Sequence, residues 1–368
     1  MFKNVTISNL TCFGAGTETV PLAPLTVIVG PNNSGKSTLV TAINMLRISL
    51  IHNTANSFWA NDFNPLPFGS HTPVGSPRKD TALVARVTHP PGVDPGADVN
   101  LQLILSTSNQ HTAPSAQFSW ADSSSLDINA YWPQIAQYIN GHYWYVAPQR
   151  KQVPQSVYLR AEGLMQYQPL SPAGSNVMQF LLNRWASRDP KFPEVEQWWH
   201  QLDPDFENVL TNLDTNTLGL EITTRSTTSK QPSDVNVHFQ GLGVQSAATI
   251  LAALVFSDEG STILIEEPEN HLHPGAQEVL ADLINNQVMY HKKQVIITTH
   301  SRAFINPYVS DLGLGGSERG AGHVKMDQTR FQLLATKKQD GNAHVTSIDL
   351  SKLKTYTDTN KSLKQMLG

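Results

Sequence analysis

The sequence predicts an α/β fold built on a largely parallel sheet, and three observations predict it. A glycine-rich segment at residues 30–37 lies between an apolar run and a stretch whose apolar residues have helical spacing. Two short apolar runs further on, at residues 262–265 and 294–299, are typical of strands buried on both faces. Helical patterns alternate with these runs, and strands that alternate with helices favour a parallel sheet.

Apolar periodicity predicts the other elements in chain order. The predicted strands are residues 5–10, 25–29, 81–88, 99–105, 143–147, 217–224 and 234–239, with a hairpin of 331–336 and 344–348 turned at Asp340-Gly341. The predicted helices are residues 37–50, 176–185, 193–202, 250–256 and 277–286. Residues 51–80 are rich in Asn, Pro, Gly and Ser, which predicts a long irregular connection.

The composition excludes several classes of protein. Lys and Arg number 26 and Asp and Glu number 30, so the net charge of −4 lacks the field of a nonspecific nucleic-acid binder, and any DNA contact must be a local patch. The single cysteine, Cys12, excludes an internal disulfide and a multi-cysteine zinc site. There is no apolar signal-peptide core and no apolar run near the ~20 residues of a membrane span. We expect a cytoplasmic protein with no membrane partner.

Residues 30–37, Gly-Pro-Asn-Asn-Ser-Gly-Lys-Ser, fit the phosphate-loop pattern G-x-x-x-x-G-K-[ST]. Two glycines let the backbone curl, so that successive N–H groups point inward at a helix N-terminus and bind phosphate. Lys36 is predicted to contact the β- and γ-phosphates, and the Ser37 hydroxyl to ligate Mg²⁺. The residues predicted to bind ATP or GTP are Gly30, Asn32, Asn33, Ser34, Gly35, Lys36, Ser37 and Thr38. The alternative, a chance match, is disfavoured by the flanking strand and helix.

Glu266 and Glu267 follow directly after the predicted strand at 262–265. The carboxyl ends of parallel strands form the edge at which open α/β sheets bind nucleotides. Successive side chains of a strand point to opposite sides, so Glu266 can act on Mg²⁺ and its waters while Glu267 acts as the general base that activates water. The alternative is that both acids only solvate the end of a strand.

His300 follows the second buried strand and is expected at the same edge. A histidine there can donate a hydrogen bond to a γ-phosphate, so we predict a catalytic sensor that acts with Lys36 and Glu267. A histidine at a strand end is, taken alone, more often a structural residue. Its position about 35 residues after the acidic pair favours the sensor role.

These three motifs, in this order, resemble those of ABC-type ATPases. The resemblance is closest to the soluble branch that contains RecF, the SMC heads and the overcoming-lysogenisation-defect (OLD) ATPases. It is carried by the phosphate loop, by Glu-Glu-Pro-Glu-Asn-His-Leu-His-Pro and by Thr-Thr-His-Ser, at residues 30–37, 266–274 and 298–301. It implies a P-loop NTPase of ABC-ATPase type, with a mixed β-sheet core and an inserted, mainly helical lobe. The core would be residues 1–148 and 214–368, with the signature, acidic and switch motifs at 241–310, and the lobe residues 149–213.

The resemblance also implies that two copies of the chain enclose two ATP molecules as a homodimer. Each site would combine the phosphate loop of one copy with the signature segment of the other, here Gly-Leu-Gly-Val-Gln-Ser at residues 241–246. The residues assigned to that contact are Gly241, Gly243, Gln245 and Ser246. The usual Leu-Ser-Gly-Gly-Gln is not present, and Leu242 stands where its serine would align. The alternative is a glycine-rich helix start that packs in the core.

Residues 143–150, Tyr-Trp-Tyr-Val-Ala-Pro-Gln-Arg, resemble the Q-loop of the same family. The resemblance assigns Gln149 to the γ-phosphate and Mg²⁺, with Arg150 as an alternative contact. An ordinary surface turn after an aromatic strand is the competing interpretation. The resemblance places His271 and His273 in the D-loop at the dimer interface.

OLD-class nucleases continue into a TOPRIM domain with an Asp-x-Asp pair, and the 68 residues after His300 contain no such pair, so we expect no intrinsic nuclease. Two functions compete. In the first, ATP closes the homodimer and hydrolysis reopens it, which regulates a separate effector, a nuclease or toxin, in anti-phage defence. In the second, the closed dimer clamps DNA in repair or recombination. A third reading is an ATP-bound switch with negligible turnover.

Overall fold

The computed structural model describes residues 1–14, 16–51, 81–88, 98–105, 115–121, 127–150, 157–158, 169–203, 209–214, 219–225, 234–236, 241–309 and 328–348. The predicted irregular connection lies, after Ile51, outside the described residues. The chain divides into two compact units. The first consists of Met1–Tyr143, Gly260–Thr262 and Asp327–Gly368, and the second of Trp144–Glu259 and Ile263–Met326.

The first unit contains an antiparallel sheet of five strands in the order β2-β1-β4-β5-β6. The strands are β1 (Phe2–Ser8), β2 (Thr17–Pro21), β4 (Thr81–Val87), β5 (Val99–Leu105) and β6 (Ser115–Trp120). Alternate residues of β4 are buried, which is the pattern of a sheet with one face on the core. The strands β2 and β6 were not predicted, because Thr-Glu-Thr-Val-Pro and Ser-Ala-Gln-Phe-Ser-Trp carry little apolar alternation.

The first unit also contains the strand that leads into the phosphate loop, β3 (Leu25–Val29), which is buried at every residue. It pairs in parallel with β14 (Phe331–Gln339), and β14 forms a hairpin with β15 (Asn342–Ser347). The predicted turn is confirmed, since Asp340 and Gly341 have φ angles of 50° and 82°. Helix α1 (Lys36–Ile51) follows the loop and contacts α2 (Trp132–Gly141), which was not predicted.

The strands β7 (Tyr143–Val146), β12 (Thr262–Glu266) and β13 (Gln294–Thr299) are neighbours in the order β13-β12-β7, and all their residues except Tyr143 and Thr262 belong to the second unit. Its helices are α3 (Val177–Ala186), α4 (Phe192–Leu202), α5 (Leu242–Phe256), α6 (Pro274–Met289) and α7 (Arg302–Val309). Every residue of β12 and β13 is buried, as their uninterrupted apolar runs predict. None of the described helices is long and apolar enough to cross a membrane.

The segment predicted as a helical lobe, residues 149–213, belongs to this second unit and does not form a unit of its own. The reason is packing: α4 contacts both α5 and α6, and it buries Phe192, Val195 and Trp199. The segment also contains strands. β8 (Val157–Tyr158) and β9 (Val209–Asp214) both pair with β10 (Gly219–Arg225), which also pairs with β11 (Asp234–Asn236) as predicted. The chain is therefore a mixed α/β fold with antiparallel sheets beside the parallel pair.

Candidate functional site

The phosphate loop connects β3 to α1 within the first unit and adopts a conformation that only glycine tolerates at two positions. Gly30 and Gly35 have φ angles of 153° and 109°. A Cβ atom on Gly30 would overlap Thr336 of the hairpin, and one on Gly35 would lie 2.8 Å from the Cβ of Ala343. The tight curl predicted from the glycines is therefore present, and the hairpin packs directly against it.

Lys36 lies inside this curl. Its side chain is buried, and the ammonium Nζ donates to the carbonyl oxygens of Gly30 and Pro31, both at 2.8 Å. The rim of the loop is open, because Asn32, Asn33 and Ser37 are all exposed. A positive charge surrounded by curled backbone below an exposed rim is the arrangement that favours a bound polyphosphate.

The side chains of Ser34 and Thr38, both predicted to bind nucleotide, form hydrogen bonds with other side chains of the protein. The Ser34 hydroxyl hydrogen-bonds the Thr336 hydroxyl at 2.5 Å, and Thr336 also donates to the carbonyl of Val29 at 3.2 Å. The Thr38 hydroxyl accepts from Thr11 at 3.0 Å. Ser34 and Thr38 therefore brace the loop with their side chains.

In the second unit, the two adjacent glutamates have different surroundings. Glu266 is the last residue of β12; it is buried, and its carboxylate accepts from the Tyr145 hydroxyl at 2.6 Å. Glu267 leaves the strand with a φ of 47°, and its N–H donates to the Thr298 carbonyl at 2.8 Å. The strand extends one residue further than predicted, to Glu266, and the strand alternation used to assign separate roles to the two glutamates does not extend to Glu267. The left-handed backbone, rather than strand alternation, separates the two carboxylates.

The structure brings Glu267 and His300 together. The His300 Nε2 atom is 3.7 Å from the Glu267 carboxylate, and Asn270 donates to the other oxygen of that carboxylate at 2.9 Å. The side chains of Glu267 and His300 keep 35% and 31% of their surface exposed, so water can reach both. Asn270 was not predicted, although it belongs to the acidic motif.

Glu269 is a second residue that sequence reasoning missed. One of its carboxylate oxygens accepts from the Thr299 hydroxyl at 2.7 Å, from the His300 N–H at 2.7 Å and from the Ser301 N–H at 3.2 Å. Three donors on one oxygen fix the backbone at the point where β13 ends. The third acid of Glu-Glu-Pro-Glu therefore holds the turn that presents His300.

Arg150, rather than Gln149, lies at the acidic strand end. Its guanidinium donates to the carbonyl oxygens of Glu266 at 3.1 Å and Glu267 at 2.8 Å, and also to the Ser246 hydroxyl. Burial lowers the pKa of Arg150 to about 10, and the nearby carboxylates of Glu269 and Glu267 oppose that shift. Gln149 is exposed, so its assignment to the γ-phosphate remains a prediction.

The signature segment forms the start of α5, and its four predicted residues fall into two sets. Gly241 is exposed and precedes Leu242, which keeps 51% of its surface exposed. Gly243 is less exposed, and a Cβ there would overlap the His271 carbonyl.

Gln245 and Ser246, in contrast, are buried. The alternative of a helix start packed in the core fits these two residues. The signature role remains a prediction, and it can apply only to the glycine end of the segment.

The structure confirms the predicted mixed α/β fold of sheets and helices, and this fold matches that of the SMC head domains compared below. Two family models match the chain: an AAA domain over residues 4–60 and an AAA ATPase domain over residues 178–305. The first match contains the phosphate loop, and the second contains Glu266, Glu267 and His300. A comparison with curated proteins gives no significant match.

Solved structures of SMC head domains have a similar fold. One is an SMC head bound to the C-winged helix domain of ScpA, with a TM-score of 0.61 and 13% identity, covering 95% of this chain and 99% of that one. Another, derived from Pyrococcus furiosus and bound to the C-terminal domain of ScpA, has a TM-score of 0.55 and 13% identity, with 100% and 99% covered. A third, derived from Pyrococcus yayanosii, has a TM-score of 0.58 and 10% identity, with 99% of each chain covered. At these identities the likeness establishes the fold.

Proposed function

We propose that this chain binds ATP at the phosphate loop and hydrolyses it. The observation that carries the proposal is the buried Lys36 ammonium inside a loop whose rim is open. The matches of an AAA domain model to the loop region and of an AAA ATPase domain model to the acidic region support it.

In this proposal Glu267 is the general base. Its carboxylate is partly exposed and is oriented by the Asn270 amide, so it can take the proton of the attacking water. Lys36 stabilises the charge that develops on the phosphate oxygens, and His300 donates a hydrogen bond to the γ-phosphate. Glu266 is buried and accepts a hydrogen bond from the Tyr145 hydroxyl, and its carboxylate would help to hold Mg²⁺ and its waters.

The donor set fits Mg²⁺, which prefers hard oxygen ligands and keeps several waters and phosphate oxygens in its shell. The exposed Ser37 hydroxyl and the Glu266 carboxylate are such oxygens. Among the described residues there is no group of three or more His, Cys, Asp or Glu that could hold a metal ion. Ser37 and Glu266 would hold the ion, and when bound it would neutralise part of the negative charge of the phosphates.

The direct test is release of phosphate from ATP by the purified chain with Mg²⁺. We expect turnover that EDTA abolishes. If the wild-type chain binds ATP but releases phosphate no faster than Glu267→Gln does, the chain is instead an ATP-bound switch with negligible turnover.

We propose that ATP binding joins two copies of the chain through the exposed glycine end of α5. The motif resemblance and the exposure of Leu242 support a contact at this helix start. Sedimentation velocity tests it: ATP should convert the monomer of Glu267→Gln into a dimer, and a monomer at saturating ATP would contradict it.

A separate effector regulated by this dimer, a nuclease or toxin of anti-phage defence, is the role that we propose first. The OLD-like motifs support it, and two SMC heads of the same fold are described as bound to ScpA domains. Co-purification with the product of a neighbouring gene would favour this role. The DNA clamp is the second candidate, supported by the SMC-head fold; binding of the isolated chain to DNA with a steep salt dependence would favour it.

A further inference from the structure

We propose that Arg150 is a positioning residue for ATP hydrolysis. Its guanidinium holds the main chain of Glu267 in the conformation that presents the carboxylate, and it does not bind the nucleotide. This inference rests on the proposed role of Glu267 as the general base.

The hydrogen bonds of Arg150 converge on main-chain atoms. Nη1 donates to the carbonyls of Ala147 and Glu266, both at 3.1 Å, and Nη2 donates to the carbonyl of Glu267 at 2.8 Å, while Nε donates to the Ser246 hydroxyl. A planar fork can reach carbonyls of consecutive residues, and its charge strengthens each bond. One side chain therefore ties the end of β7 and the start of α5 to the residue after β12.

Glu267 needs such support. Its φ of 47° is a left-handed conformation that is unfavourable for a non-glycine residue and persists only where neighbours enforce it. The Thr298 carbonyl holds the Glu267 N–H, and Arg150 holds the Glu267 carbonyl. The peptide groups on both sides of the Glu267 Cα atom are thereby fixed, and with them the direction of the side chain.

The guanidinium has few donors to spare for a phosphate, because all three of its nitrogens already donate within the second unit. Its charge is balanced by Glu269 and Glu267, which oppose the effect of burial on its pKa and keep it protonated at neutral pH. Because the Arg150 guanidinium is engaged by groups of the protein, we expect it to act through Glu267 rather than on the phosphate.

The test compares Arg150→Lys and Arg150→Met with Arg184→Lys, a matched control. Arg184 is another arginine of the second unit; it pairs with Asp189 at 2.8 Å and lies over the Phe180 ring. For both Arg150 variants we expect the kcat for ATP to fall about 10- to 100-fold, as for a misplaced catalytic group, with the Kd for ATP within about twofold of wild type. Arg184→Lys should keep the wild-type kcat, and melting temperatures identify any variant that does not fold.

A double-mutant cycle separates positioning from general structural support. In a Glu267→Gln background, Arg150→Lys should not lower the single-turnover rate further, because the group that it positions is gone. Three results would each overturn the proposal. They are an equal loss of the single-turnover rate in both backgrounds, a rise in the Kd for ATP that accounts for the lost rate, and an unchanged kcat. If Glu267→Gln alone hydrolyses ATP at the wild-type rate, the proposed function of Glu267 fails instead, and the two failures are thereby distinguished.

Discussion

The phosphate loop and the acidic strand end reach their geometry in different ways. The loop consists of contiguous residues, 30–38, and presents curled backbone with one buried ammonium. The acidic end is assembled from side chains of separate segments: Tyr145 and Arg150, then Glu266 to Asn270, then Thr299 to Ser301. The residues of the loop thus come from one local motif, which Thr11 and Thr336 brace, whereas the acidic end is assembled from three segments by long-range hydrogen bonds.

This difference predicts different sensitivities. Nucleotide affinity should depend on the loop, where backbone and Lys36 meet phosphate. Catalytic rate should depend on the acidic end, where one carboxylate is oriented by Asn270 and by a constrained backbone. Variants that change both quantities equally would remove the distinction between the two regions.

The largest expected effect is on the acidic end. Glu267→Gln keeps the hydrogen bond from Asn270 but cannot accept a proton, so kcat should fall about 1,000-fold, within the range for loss of a general base, with little change in the Kd for ATP. Phosphate release and nucleotide titration measure the two quantities. Glu259→Gln, which changes an exposed glutamate paired with Lys292, is the control and should hydrolyse ATP normally. Wild-type turnover by Glu267→Gln would mean that another group is the base.

Next in size is the effect of Lys36→Ala on affinity. Loss of the one ammonium inside the loop should weaken ATP binding about 100-fold, as for loss of charge-assisted hydrogen bonds to phosphate. Titration with a fluorescent ATP analogue measures this change. Lys292→Ala removes an exposed lysine and should bind ATP as wild type does. Equal affinities of Lys36→Ala and wild type would place the phosphates elsewhere.

The same contrast explains what the sequence could predict. Strands buried on both faces, helices with regular apolar spacing and the hairpin turn were all predicted near their observed positions, because each has a local signal. Lys36 and the two glycines of the loop were predicted for the same reason. β2, β6 and α2 were missed, since their apolar patterns are short or interrupted by polar residues.

The acidic end was predicted only in part. Glu266, Glu267 and His300 were predicted because each follows a run typical of a buried strand, which is a local signal, and in the structure His300 Nε2 is 3.7 Å from the Glu267 carboxylate. The role of Arg150 had no signal, because its carbonyl partners are 116 and 117 residues away in the chain. The left-handed φ of Glu267 could not be predicted either, since a glutamate before proline gives no indication of it.

A third prediction concerns the stability of the loop. Gly30→Ala would place a Cβ against the backbone and side chain of Thr336 at a φ of 153°, so we expect about 3 kcal/mol of destabilisation, as for backbone strain added to overpacking. Urea unfolding measures this loss. Gly141→Ala is the matched control, since a Cβ at the end of α2 meets nothing within 4 Å. If both variants unfold at the same urea concentration, the hairpin can shift to make room for the added Cβ atom.

The smallest expected effect lies at the opposite end of β13 from His300, where Lys293 precedes the strand. Lys293 is buried, and its Nζ donates to the Leu254 carbonyl at 2.5 Å. Burial and the nearby charge of Lys191 lower the pKa of Lys293 to about 7, while the carboxylates of Glu194 and Asp258 act to raise it. Between pH 7 and about 10 the unfolded lysine binds a proton that the folded one does not, so the free energy of unfolding should rise with pH in that window. The gain from this residue should be about 2 kcal/mol, and it is lost again as the pH falls towards 7.

Urea unfolding at pH 7 and pH 9.5 isolates this contribution by comparing wild type with Lys293→Met. The variant lacks the titrating amine, so its free energy of unfolding should rise less than that of wild type over this interval. Lys292→Met, at the adjacent position with 69% of its side chain exposed, should follow wild type because its amine stays hydrated in both states. An identical pH dependence for all three proteins would show that the Lys293 amine keeps its charge in the folded chain. The expected difference would distinguish the two ends of β13, since titration of Lys293 at one end changes the free energy of unfolding, whereas His300 at the other end is tested by the rate of ATP hydrolysis.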